Sequence, residues 1–241
     1  MKRIKVIACK VLMRELYYLA YQSRNVIDFT FLRQGLHDEP KKLTRSLQAA
    51  IDAIENEEET YDAICLGYGL CSNGILGIRT KKTPIVVPRA HDCISLLLGS
   101  KEKYSELFSA FPGIYWYSAG WLEHNRKGMP GPDRINTLKQ RYLDQFGDED
   151  IADALLETEL DWMHRYGHAI FVDWEAFDTQ EHKEYTKNCA EFLNWKYLCE
   201  PGSPSLLRDM LEGNWNEEKF QFIPPGETLR ASFDDKIIAL T

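Results

Sequence analysis

The sequence predicts a single three-layer α/β domain with a mostly parallel sheet, of the Rossmann-like or flavodoxin-like kind. Short apolar runs alternate along the chain with amphipathic helical patterns. The runs lack a polar face, as do strands that are buried between two helical layers. A chain of 241 residues is also long enough for one well-buried domain.

The strands and helices follow from this alternation. Seven segments are predicted strands: RIKVIAC, VIDFTFL, DAICLG, TPIVVP, GIYWYS, HAIFVDW and, last, FQFIPP. Five segments are predicted helices: KVLMRELYYLAYQS, PKKLTRSLQAAIDAIENEEE, CISLLLGSKEKYSELFSAF, EHKEYTKNCAEFLNWK and LLRDMLEG. Residues 123–165 begin with a Gly/Pro-rich loop and continue with polar-faced helical patterns, so we expect a helical insertion within the single domain 1–241.

Charge and composition exclude several classes of function. The chain has 29 basic and 37 acidic residues without a basic cluster, so we expect no nucleic-acid partner. Charges at Lys10, Arg14 and Glu15 interrupt the N-terminal apolar run, and no run reaches the ~18 residues of a membrane span. We therefore expect a cytoplasmic protein without a membrane partner, whose six cysteines are reduced.

Residues with unusual chemistry lie at or just after the ends of the first five predicted strands. Because parallel strands share one carboxyl edge, these residues are expected to converge there. In strand order they are Cys9; His37; Gly67, Gly69 and Cys71; Arg89, His91, Asp92 and Cys93; and Trp121.

The residue types at this edge predict a metal site. Cys71, His91 and Cys93 would give zinc three ligands and leave a fourth position open. With Cys9 the set holds three cysteines, which equally suits an iron–sulfur cluster. Two alternatives stay open: His91 and Asp92 cap a helix that begins near Cys93 and bind no metal, or a cysteine acts as a nucleophile.

Other residues have candidate roles at the same edge. His37, Arg89 and Asp92 are candidate catalytic residues; Arg89 could orient an acidic substrate, and His37 could join the metal ligands. The amides around Gly67 and Gly69 could bind a cofactor or an anion, and Trp121 could form a pocket wall.

Four phrases resemble a known family: QGLHDEPKKL, YDAICLGYGLCSNG, VVPRAHDCISLLLGSKEKY and YWYSAGWLE. Through these phrases, most of residues 1 to about 125 resembles the DUF1638 family. The resemblance implies an anaerobic source and a place beside corrinoid-dependent methyltransferases in one-carbon metabolism. His91-x-Cys93 with a distant cysteine is also similar to the zinc motif of methylcobalamin:thiol methyltransferases. Their second cysteine lies downstream, where Cys199 is the candidate here, whereas Cys71 lies upstream.

The resulting functional hypothesis is a metal-binding protein, with zinc or an iron–sulfur cluster, that acts in methyl or thiol transfer. The alternative is a non-catalytic accessory protein that holds a corrinoid, metal or cluster for a partner methyltransferase. The expected partner is a small-molecule substrate or a corrinoid protein, and self-association into a homo-oligomer is left open.

Overall fold

The computed structural model describes residues 1–241. Contacts divide the chain into two compact units, the first made of residues 1–104 and 203–241 and the second of residues 105–202. Both contain parallel strands joined through helices, which confirms the predicted three-layer, mostly parallel α/β class.

The chain forms ten strands and nine α-helices. The strands are β1 (Arg3–Cys9), β2 (Val26–Leu32), β3 (Ala63–Gly67), β4 (Ile85–Pro88), β5 (Ile114–Ser118), β6 (His168–Asp173), β7 (Lys196–Pro201), β8 (Phe220–Ile223), β9 (Leu229–Ala231) and β10 (Ile238–Leu240). The helices are α1 (Met13–Gln22), α2 (Pro40–Glu55), α3 (Cys93–Leu98), α4 (Lys101–Ala110), α5 (Ala119–Asn125), α6 (Pro132–Phe146), α7 (Glu149–Leu160), α8 (Gln180–Phe192) and α9 (Ser205–Glu212). Four 3₁₀ turns complete them: Lys10–Leu12, Leu36–Asp38, Arg126–Gly128 and Asp161–Arg165.

The first unit contains a five-stranded sheet in the order β2-β1-β3-β4-β8. Its first four strands are parallel, and β8 pairs antiparallel with β4. The order 2-1-3-4 is that of flavodoxin-like sheets, because the chain winds outward to β2 and then returns to the other side of β1. Such a reversal leaves a crevice beyond the carboxyl ends of β1 and β3.

The second unit contains a parallel sheet in the order β5-β6-β7. The strands predicted from GIYWYS and HAIFVDW are correct, but they do not extend the first sheet. The β4 edge that they would have used is occupied by β8, with Ile85 opposite Ile223. The first sheet is therefore closed on that side by the C-terminal part of the chain.

Two helix boundaries differ from the prediction at residues with positive φ. The segment predicted as one helix from Cys93 onward is two helices, because Gly99 has a φ of 80° and ends α3. The helix predicted to reach Lys196 ends at Phe192, and Asn194 has a φ of 57°. The following residues then form β7, which the sequence analysis missed, as it missed the short β9–β10 pair.

Helical apolar faces supply much of the core. In α2, Leu43, Leu47 and Ile51 recur every four residues and are completely buried. Tyr117 and Phe171 are the largest completely buried side chains of the core cluster in the second unit. None of the helices combines the length and the apolar character that a membrane crossing requires.

Candidate functional site

The crevice between β1 and β3 begins with Cys9 and Tyr68. Ala8 pairs with Gly67 in the sheet, so the next residues, Cys9 and Tyr68, leave the two strands side by side. A Cβ atom on Gly67 would lie 2.5 Å from the Ala8 Cβ atom, so only glycine allows this close approach. The polar residues at the crevice are thus fixed by tight packing of the strand ends beneath them.

Tyr68 is a buried tyrosine whose hydroxyl has no hydrogen-bond partner. The residue is 3% exposed, and its Oη atom is completely covered. Burial raises the pKa of Tyr68, and negative charge on Cys9, Cys71 or Cys93 would raise it further. The three thiols therefore lie around one phenol, which keeps its proton and can donate it in a hydrogen bond.

The three thiols are themselves buried. Cys9, Cys71 and Cys93 are 8%, 9% and 9% exposed. Burial raises the pKa of Cys71 to about 12 and also raises the pKa of Cys9. A cysteine nucleophile needs a lowered pKa, so Cys9 and Cys71 are not in an environment that favours the nucleophilic alternative.

Cys71 lies in a strained turn. Cys71, Ser72 and Asn73 have φ values of 46°, 55° and 68°, three consecutive non-glycine residues in the left-handed region. Each such residue costs about 1–2 kcal/mol, although asparagine tolerates this conformation better than most. Strain of this kind persists only where the surrounding structure enforces it, and it clusters at functional sites.

The turn is held against the loop that follows β4. The Leu70 N–H donates to the Ala90 carbonyl at 2.8 Å, and the Cys71 N–H donates to the His91 carbonyl at 2.9 Å. A Cβ atom on Gly69 would lie 2.5 Å from the Asp92 nitrogen, so a larger residue would push the two loops apart. Gly69 and the two hydrogen bonds therefore place Cys71 beside the loop that carries His91.

Asp92 and His91 differ in their surroundings. The Asp92 carboxylate caps α3 by accepting hydrogen bonds from the Ser95 N–H at 3.0 Å and the Ser95 hydroxyl at 3.2 Å. His91 is exposed, and its ring centroid lies 6.1 Å from that of Tyr104. The structure has no group of three or more His, Cys, Asp or Glu side chains arranged to hold a metal ion. The predicted metal ligands are therefore neighbours here without forming a coordination shell.

The chain matches the model of a family described as proteins of unknown function, DUF1638, over residues 31–211. It belongs to the DUF1638 family. The match extends well beyond residue 125 and includes parts of both compact units. No curated protein and no solved structure matches this DUF1638 protein.

The remaining predicted site residues of this DUF1638 protein lie in other environments. The His37 Nε2 atom is 3.3 Å from the Asp38 carboxylate in the 3₁₀ turn after β2. Arg89 is buried and donates to the C-terminal segment, at 2.8 Å to the Glu217 carbonyl and 2.5 Å to the Ile238 carbonyl. Trp121 belongs to the second unit, where it packs against the core cluster around Tyr117 and Phe171.

Tyr68 is the residue that the sequence analysis of this DUF1638 protein overlooked. The available signal was a tyrosine between Gly67 and Gly69, directly after an apolar strand. The backbone is closely packed at both glycines, so the ring of this tyrosine must lie next to it. Its missing hydrogen-bond partner could be recognised only from the fold, because that depends on which groups surround the hydroxyl.

Proposed function

We propose that the first unit binds zinc or an iron–sulfur cluster through Cys9, Cys71 and Cys93, and that this site serves methyl or thiol transfer in the cytoplasm. One observation carries the proposal: three buried thiols gather around the unpartnered Tyr68 hydroxyl at the crevice where the winding of the sheet reverses. The strained turn at Cys71 supports it, because a purely structural loop gains nothing from three successive left-handed residues.

The chemistry of the donors fits these metals. Soft thiolate ligands select zinc and iron–sulfur clusters over hard cations such as Mg²⁺. Buried thiols that stay neutral alone lose their protons when they bind a metal, so their raised pKa values are compatible with coordination. Three cysteines leave one ligand position, for which exposed His91 or a substrate thiol is the candidate.

The residues of the crevice would have distinct tasks. A metal bound here supplies Lewis acidity, which lowers the pKa of a thiol that it holds. The Tyr68 hydroxyl would donate a hydrogen bond to a sulfur atom, and Asp92 would hold the start of α3 beneath Cys93. A corrinoid protein is the proposed partner that exchanges the methyl group, and a thiol is the proposed small-molecule substrate.

Metal analysis of protein purified without oxygen tests the proposal. We expect about one zinc ion per chain, or iron and sulfide with the visible absorption of a cluster, in the wild-type protein. Cys71→Ser and Cys93→Ser should lose most of this metal. Cys199→Ser, which changes the exposed cysteine of the second unit, should retain it.

Two results would contradict the proposal. One is wild-type protein that contains no metal and takes up neither zinc nor a reconstituted cluster. The other is equal metal content in the Cys71, Cys93 and Cys199 variants, because adventitious binding would not depend on the crevice.

A further inference from the structure

The second unit contains a cleft of about 420 Å³ that is separate from the thiol crevice. It is lined by Ile135 of α6, by α7, by the 3₁₀ turn Asp161–Arg165, and by the residues that lead into β6 and β7. Its volume lies within the range of about 300–1,000 Å³ that is usual for small-molecule sites. Since the crevice lies in the other unit, an inference about this cleft does not depend on the proposed metal site.

The walls of the cleft are apolar and aromatic. Leu156, Leu160 and Met163 contribute aliphatic surface, and Met163 is buried. Tyr166 and Trp195 also line the cleft, with ring centroids 5.7 Å apart. Such a lining suits the apolar body of a small ligand.

A third ring supports the aromatic wall from within the unit. The Tyr115 centroid lies 5.3 Å from that of Tyr166 and 6.2 Å from that of Trp195. Tyr115 is not among the lining residues, so it packs behind the wall. The two lining rings are therefore held in place before any ligand arrives, which lowers the entropy cost of binding.

The charges of the cleft are acidic. Its acidic lining residues are Asp153 and Glu157, His164 also lines it, and no Lys or Arg side chain does. Asp153 forms an ion pair with Lys139 at 2.8 Å. Glu157 is exposed and takes part in no ion pair, so its charge is available to a ligand.

We propose that this cleft binds a small organic cation, whose ammonium group lies against Tyr166 and Trp195 within reach of Glu157. Aromatic faces attract cations through the ring quadrupole, and a carboxylate adds direct charge complementarity. The apolar part of the ligand would pack on Leu156, Leu160 and Met163. A ligand that carries a carboxylate or phosphate is excluded from this class, because the cleft offers it no Lys or Arg.

Calorimetric titration of the full-length protein with benzyltrimethylammonium tests the proposal. This probe combines a quaternary ammonium group with an aromatic body, and benzyl alcohol serves as its uncharged counterpart. We expect saturable binding of the cation, and about tenfold weaker binding of the alcohol.

Two variants and a matched control locate the binding. Glu157→Gln and Trp195→Leu should each weaken binding of the cation by about fivefold. Glu191→Gln removes the same charge from an exposed position of α8 outside the cleft, and should leave the affinity within about twofold. Glu157 is exposed, so its variant keeps the test valid even if loss of Trp195 disturbs folding.

Three outcomes would overturn the proposal. They are an absence of saturable binding to the wild-type protein, equal affinity for benzyl alcohol and for the cation, and equal affinity of the Glu157→Gln and Glu191→Gln variants for the cation.

Discussion

The two compact units each bury a tyrosine hydroxyl close to the end of a strand, but the hydroxyl is hydrogen-bonded in only one of them. In the second unit, the Tyr117 hydroxyl donates to the Pro130 carbonyl at 2.8 Å. In the first unit, the Tyr68 hydroxyl has no hydrogen-bond partner and lies among three thiols. An unsatisfied buried polar group costs about 1–3 kcal/mol. The Tyr68 hydroxyl therefore lowers the stability of the fold, whereas the hydrogen-bonded Tyr117 hydroxyl does not. Tyr117 has the features of a structural residue, and Tyr68 those of a residue kept for a site.

The cysteines of the two units show the same contrast. Cys189 in the second unit is completely buried, and a Cβ atom on Gly131 would lie 2.5 Å from its sulfur, so this thiol fills a tightly packed space. Cys9, Cys71 and Cys93 instead come from the carboxyl ends of three different strands and gather around one hydroxyl. Core packing explains the position of Cys189, whereas it does not explain why Cys9, Cys71 and Cys93 lie together.

The largest expected effect comes from the loops that form the thiol crevice. Gly69→Ala should lower the free energy of unfolding by about 3 kcal/mol, because the added Cβ would lie 2.5 Å from the Asp92 nitrogen and 2.7 Å from the Ala90 oxygen. Urea denaturation measures the change. The variant should also expose Cys71 to thiol reagents, since the two loops must separate.

Gly77→Ala is the matched control for this substitution. Gly77 has a φ of 76° with no atom within 4 Å of a Cβ position, so only the conformational cost of about 1 kcal/mol applies. If both variants lose the same stability, the close approach of the two loops is not what holds the crevice together.

A buried carboxylate in the first unit shows that this unit does satisfy its structural polar groups. Burial alone would raise the pKa of Glu55, but hydrogen bonds from the Thr80 hydroxyl and from the N–H groups of Lys81 and Lys82 outweigh burial and lower it. Glu55→Gln should therefore cost about 2 kcal/mol at pH 7.

The stability that Glu55 contributes is expected to depend on pH. A carboxylate with a lowered folded pKa contributes its full stability above the unfolded pKa of about 4.3, and loses that contribution as pH falls through the folded value. The difference between wild type and Glu55→Gln, from urea titrations at several pH values, should shrink in this acid range. A difference that stays constant with pH would mean that the charge of Glu55 is not responsible.

The sequence predicts the strands well because burial on both faces leaves a clear local pattern. RIKVIAC, VIDFTFL, DAICLG and TPIVVP are neighbouring parallel strands in the first sheet. The division into two sheets could not be predicted, because it depends on β8 pairing with β4 across more than a hundred residues of chain. Likewise, β7 was missed because a turn at Asn194, with its left-handed backbone, interrupts a continuous helical pattern.

The candidate site was predictable in part. That Cys9, Cys71 and Cys93 approach one another followed from the rule that parallel strands share a carboxyl edge. The burial of Arg89 among C-terminal carbonyls and the unpartnered Tyr68 hydroxyl depend on contacts distant in sequence, which no local pattern records. The roles in catalysis or binding that the sequence assigns to the residues of this site remain predictions.

A smaller effect is expected at the satisfied tyrosine of the second unit. Tyr117→Phe removes the donor to the Pro130 carbonyl and leaves that acceptor buried without this partner, so it should cost about 1–1.5 kcal/mol. Chemical denaturation of the two proteins under identical conditions measures the difference. No loss of stability would indicate that water replaces the hydroxyl, and the contrast between the two tyrosines would then weaken.

The smallest effect on stability is expected at Tyr68, although the atom removed is the same. Tyr68→Phe deletes a buried hydroxyl that has no partner, so the free energy of unfolding should stay unchanged or rise by up to about 1 kcal/mol. The metal content or thiol reactivity of the crevice should nevertheless change, because the hydroxyl is the polar group that Cys9, Cys71 and Cys93 surround. Denaturation and metal analysis of the same preparation, with Tyr117→Phe as control, measure both quantities. A Tyr68→Phe protein that is as destabilised as Tyr117→Phe would contradict this interpretation, since it would mean that the hydroxyl has a structural partner in solution.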